Sequence, residues 1–170
     1  MLARNEIIFK WALYALAALV CLFVQGVVLQ RVTIWGVIPF VFPLVAVIPA
    51  TFEKPTSATI FSLCVGVVCD LVLPGTIPCF YTLVFPVVGL WASLLSQSIL
   101  PAGFLCSLVG TALAFFATGL FHCLLLWAGG KAAWGAAAFV ALREFCVTVP
   151  LTVPVTLLFR AVFRKTHLDD

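Results

Sequence analysis

Charge is spaced so widely along this chain that whole stretches have no polar anchor. No Asp, Glu, Lys or Arg occurs from Trp11 to Gln30, from Val32 to Phe52, from Pro55 to Cys69 or from Leu71 to Gly130. A helix crossing the ~30 Å hydrocarbon core of a bilayer needs about 20 apolar residues, and these runs supply that length repeatedly. Only 9% of the 170 residues are charged, against about 25% in a soluble domain. The mean hydropathy is +1.28. A globule this size has too few charges to wet its surface, so the expected fold is an all-α integral membrane protein, a single domain over residues 1–170.

Punctuation divides the runs into about six transmembrane helices. The first is 11–29, closed by Gln30 and Arg31. The second, 33–52, carries Pro39, Pro43 and Pro49 and is expected to be kinked or partly broken, with a re-entrant hairpin as the competing reading. The third, 57–73, carries Asp70 near its end. Pro74-Gly75-Thr76-Ile77-Pro78 is a turn, since proline and glycine are the strongest breakers. The fourth, fifth and sixth are 79–95, 102–127 and 139–159, followed by a short polar tail holding His167. No loop is long enough for a soluble domain.

Arg4 and Lys10 before an apolar run resemble a signal peptide. The run is long for one, however, and no small-x-small cleavage site follows, so it is read as a retained helix. With six spans both termini share a side. Arg4, Lys10, Lys54, Arg160, Arg164 and Lys165 fall on that side and only Arg31 and Lys131 on the other, which predicts cytoplasmic termini. The net charge of +3 is too small and dispersed for a nucleic-acid footprint. The seven cysteines lack Cys-x-x-Cys spacing and suit apolar packing.

Ionisable groups inside a membrane are costly and face the bundle interior. Asp70, His122, Arg143 and Glu144 fall at one depth under this topology, predicting an intramembrane polar network in which Arg143 compensates Asp70 or Glu144. The same set, read differently, is a ligand site. Nothing in the chain assembles a catalytic group: there is no His-Glu-x-x-His motif and one aspartate within a span. Three protein ligands for a catalytic metal are likewise not assembled, so no catalytic residue, metal or cofactor is expected.

Small residues on the fifth helix form two i,i+4 ladders, Gly103/Ser107/Thr111 and Gly110/Ala114/Thr118. Such ladders let helices approach closely, either within this chain or against another. Pro39/Pro43 and Pro150/Pro154 each mark one helix face, as in helices broken to shape a cavity.

The run Glu53-Lys54-Pro55, then Gly66-Val-Val-Cys-Asp70-Leu, then Pro74-Gly75 resembles the MreD family of bacterial rod-shape-determining membrane proteins, with Gly66, Asp70, Pro74 and Gly75 as the family motif. Length, span count and the basic C-terminal end agree over the whole chain. The resemblance implies a non-catalytic scaffold of the cell-elongation complex in the bacterial inner membrane. It would bind MreC, work with MreB and the RodA/penicillin-binding-protein synthase of peptidoglycan, and contact membrane lipids. It also implies a fold similar to the S-components of energy-coupling-factor transporters. The alternative function is therefore a substrate-binding subunit of a vitamin-type transporter.

Overall fold

A computed structural model describes residues 2–73, 79–98, 100–101, 103–130 and 134–166. The expected 74–78 turn, with Pro74 and Gly75 of the motif, lies outside the described residues, as do Lys131 and the tail from His167. The described chain is all helical apart from turns and one isolated β-bridge. Its helices are α1 Leu2–Val27, α2 Phe42–Val47, α3 Pro55–Val72, α4 Phe80–Ser98, α5 Phe104–Ala128, α6 Trp134–Thr148 and α7 Thr152–Thr166.

Five helical stretches are long and apolar enough to cross a membrane. The outside of the bundle is made of oil-seeking side chains: Leu71 is 81% exposed, Leu83 71%, Phe23 69% and Phe116 69%. Meanwhile Ser62, Ser93, Thr111, Thr148 and Thr152 are fully buried. A water-soluble bundle would invert this distribution, so the chain is a multi-pass membrane protein.

The second expected span differs most from a simple helix. After a short 3-10 turn at Leu29–Arg31, the chain makes a tight hairpin with paired hydrogen bonds of 3.0 Å between Ile34 and Val37. Trp35 (φ 55°) and Gly36 (φ 77°) occupy its two central positions, as a type I′ turn requires. The chain then enters the bundle without regular structure and becomes helical only over Phe42–Thr51, about 15 Å at 1.5 Å per residue. The prolines explain this. Pro43 stands at the start of α2 and Pro49 at the start of the 3-10 turn that follows it, where a missing N–H costs nothing. They restart the helix and do not merely bend it.

The segment nevertheless runs the height of the bundle, because its two ends are anchored at opposite ends of α1. Its start follows Arg31, whereas Glu53 at its finish bonds Lys10 near the beginning of α1. Phe52 also meets Phe163 of α7 at 5.4 Å between ring centroids. The beginning of α1 and the end of α7 therefore lie at one end of the molecule, the terminal end. The Ile34–Val37 turn marks the far end.

Residues 41–51 form the centre of the core and are buried throughout. Around them pack α1, α3, α4, α5 and α7. The sixth expected span is two helices, α6 and α7, joined by a 3-10 turn at Val149–Leu151 that begins next to Pro150. Pro154 lies inside α7. The first helix starts earlier than expected and includes Lys10 in its body.

The small-residue ladders of α5 serve this chain's own packing. Ser107, Thr111 and Ala114 are fully buried. A Cβ placed on Gly110 would come within 2.7 Å of Val47 and 3.6 Å of Ala92, so that ladder faces α2 and α4.

Candidate functional site

Asp70 sits in the last turns of α3 and faces the first turn of α4. Its carboxylate accepts the Tyr81 N–H at 3.1 Å, the Thr82 N–H at 2.8 Å, and the Thr82 hydroxyl. The first N–H groups of any helix lack intrahelical partners and carry the positive end of its dipole. A carboxylate there satisfies two of them at once. Gly66, one turn earlier on the same face, supplies the room: a Cβ on it would lie 2.6 Å from the Tyr81 carbonyl oxygen and 3.0 Å from the Thr82 Cα. The Gly66-x-x-x-Asp70 spacing is thus one device, a close approach followed by a cap. Gly89, farther down α4, packs in the same way onto Ser62. Together they make α3 and α4 the most extensive helix pair in the fold.

The expected pairing of Arg143 with Asp70 or Glu144 is not made. Among the described residues the one ion pair joins Lys10 to Glu53, with N–O distances of 2.7 and 2.8 Å. Arg143 is exposed; its Nη1 donates to the Trp35 carbonyl at 3.3 Å and its guanidinium lies 4.2 Å from the centre of the Phe139 ring. Consecutive helix positions point about 100° apart and do not face each other, so Glu144 turns elsewhere. It is half-buried. His122 is exposed on α5, its ring edge-on to Phe80 at 6.3 Å. Asp70 and His122 thus meet the Phe80–Tyr81 corner, while Arg143 belongs to the far-end turn.

No family model, curated protein or solved structure matches this chain. Among the described residues, no three His, Cys, Asp or Glu side chains gather as a metal site would need. The cysteines are free thiols.

A second polar set, which composition and spacing did not single out, fastens the central segment. Gln25 of α1 donates to the Pro39 carbonyl and accepts the Val41 N–H, both at 2.9 Å. Thr148 of α6 accepts the Phe40 N–H at 3.0 Å. Ser62 of α3 donates to the Ala46 carbonyl at 2.8 Å, and Ser93 of α4 to the Glu53 carbonyl at 2.7 Å. Side chains from four helices thereby bond backbone groups of the interrupted segment, among them the Pro39 carbonyl that Pro43 cannot serve. The available signal was Gln25 itself, the single amide side chain between Trp11 and Leu29.

At the terminal end Glu53 is buried, 8% exposed by side chain, beside Lys10 and the phenol of Tyr14. The sequence places Lys10 and Glu53 at the same membrane boundary. Their pairing follows once α1 and the central segment are antiparallel neighbours.

Proposed function

We propose that this chain is a non-catalytic, MreD-like scaffold of the bacterial cell-elongation complex, binding MreC and working with MreB and the RodA/penicillin-binding-protein synthase. The observation that carries the reading is the coupling of Gly66 and Asp70 to the first turn of α4. It gives the resemblance-bearing residues a structural purpose, to hold α3 close against the first turn of α4. A scaffold needs a rigid surface more than a reactive group, and the side chains of Gln25, Ser62, Asp70 and Ser93 are spent on internal fastening. On this reading the protein resides in the bacterial inner membrane with both termini cytoplasmic, where the basic residues of the terminal end would meet the cytoplasmic leaflet.

The vitamin-transporter alternative draws its motive from converging polar groups, since a small-molecule pocket is apolar with a few polar groups aimed into it. Asp70 is instead taken up by backbone N–H groups, and Arg143 lies apart from it. The scaffold is therefore the better supported reading. Its test is co-purification in mild detergent with MreC at matched expression. The wild type is expected to retain MreC and Asp70→Ala to retain less of it. A wild-type chain that never holds MreC would remove the proposal.

A further inference from the structure

Arg143 is a permanently charged group on a helix that crosses the membrane, yet no carboxylate among the described residues lies within 4.0 Å of it. Its protein partners are one backbone carbonyl at 3.3 Å and the face of Phe139. A guanidinium has five N–H donors in a planar fork that matches phosphate geometry. Most of that fork is unspent. The exposed fork is thus free to take an anion.

The surroundings identify what brings the anion. Arg143 lines a cavity of about 450 Å³ with Trp35, Phe139, Leu142 and Cys146. Trp35 is 70% exposed at the tip of the far-end turn, where an aromatic side chain marks the headgroup level. Leu142 is also a wall of a second hollow, of about 370 Å³, between α5 and α6. That groove is lined by Phe116, Gly119, Ala138 and Ala141 among other apolar residues. It exists because α6 packs mainly against α5 and leaves one side open, and because small residues form much of its floor. A cationic fork at headgroup level beside a hydrocarbon groove fits a phosphate with an acyl chain attached.

We propose that Arg143, Trp35 and the α5–α6 groove form a binding site for an anionic phospholipid, with the phosphate on the guanidinium and an acyl chain along Ala138, Ala141 and Gly119. The net negative charge of the lipid matters, because a zwitterionic headgroup brings its own cation to the arginine. This site is independent of the scaffold reading and stands or falls on lipid binding alone.

The test is native mass spectrometry of the full chain in detergent, titrated with dioleoyl phosphatidylglycerol, with dioleoyl phosphatidylcholine and with glycerol phosphate. The wild type is expected to retain phosphatidylglycerol over phosphatidylcholine, and to hold glycerol phosphate far more weakly. Arg143→Gln should weaken phosphatidylglycerol about tenfold, the loss of one charge-assisted hydrogen bond, with Arg143→Lys in between. Ala138→Phe, which fills the groove, should weaken the lipid while leaving glycerol phosphate unchanged. Arg143 and Ala138 are both exposed, so these variants should keep the wild-type melting temperature, which is measured alongside. Equal retention of phosphatidylglycerol by wild type and Arg143→Gln overturns the proposal. So does glycerol phosphate binding as tightly as the lipid, which would leave only a site for a free anion. Lack of any preference over phosphatidylcholine overturns it too.

Discussion

Gly66 and Asp70 act through different physics on the same two residues of α4. Gly66 is a steric permission: its missing Cβ lets the Tyr81 carbonyl approach to a distance no side chain tolerates. Backbone cannot swing aside as a flexible side chain can, so Gly66→Ala should destabilise by about 1–3 kcal/mol despite alanine's better helix propensity. Gly26 of α1 is the matched control, because a Cβ there meets nothing within 4 Å. Gly26→Ala is expected to leave the melting temperature in detergent unchanged or slightly raised, whereas Gly66→Ala lowers it. Equal melting temperatures would mean that the α3–α4 approach is not tight in solution. Asp70 is an electrostatic fastening, and its substitutions separate charge from geometry. Asp70→Asn keeps an oxygen for one N–H and should cost about 1 kcal/mol. Asp70→Ala leaves both first-turn N–H groups without the cap and should cost more, about 2 kcal/mol. The melting temperatures should fall in the order wild type, Asn, Ala. An asparagine variant as poor as alanine would indicate that the charge matters and the hydrogen-bond geometry does not. The family resemblance singled out Gly66 and Asp70, and the depth count expected Arg143 to compensate Asp70 or Glu144, whereas Asp70 is held by backbone N–H groups. The error has a physical origin. Depth along a helix can be counted from sequence, whereas the facing neighbour depends on helix rotation, and a backbone N–H leaves no mark in the sequence.

The central segment shows how an element can cross a membrane with less helix than its length suggests. Residues 32–52 have the length and hydropathy of a full span, and their prolines foretold a break. They could not foretell that Pro43 and Pro49 would each begin a new helical turn, or that residues 39–41 would stay outside the helix. Exposed backbone polar groups in hydrocarbon cost several kcal/mol each, so a non-helical stretch survives only where side chains take over. Gln25 does this for two of them with one amide group, donor to Pro39 and acceptor for Val41. Gln25→Leu preserves volume and apolar packing but leaves a buried carbonyl and a buried N–H unsatisfied. It is expected to destabilise by about 2–6 kcal/mol, about 1–3 for each of the two orphaned groups. Gln25→Glu sets a buried carboxylate against the Pro39 carbonyl with no cation beside it, so at neutral pH it should melt no higher than Leu. A leucine variant as stable as wild type would show that water reaches residues 39–41 and satisfies them. α6 and α7 repeat the principle in milder form, since Val149–Leu151 interrupts a run whose hydropathy reads as one long helix.

At the scale of the molecule, one ion pair ties the start of α1 to the finish of the central segment and sets both at the terminal end. Lys10 is 20% exposed by side chain and Glu53 8%. The two partners therefore differ in what they lose when the other is removed. A lysine at a bundle end can extend its stem toward water, while Glu53, beside Tyr14 and with its own carbonyl held by Ser93, has nowhere to go. Lys10→Met strands a buried carboxylate and should cost about 3–5 kcal/mol, in the range measured when one partner of a buried pair is deleted. Glu53→Gln should cost less, because the freed lysine snorkels and no charge is left buried. The double variant Lys10→Met/Glu53→Gln should be more stable than Lys10→Met alone, a departure from additivity expected only of groups in direct contact. Melting curves of the four proteins in one detergent measure it. Strictly additive losses would mean that the pair is separated in the folded protein. The same experiment bears on topology, since Lys10 and Glu53 can couple only if the broken segment returns the chain to the end from which α1 departs.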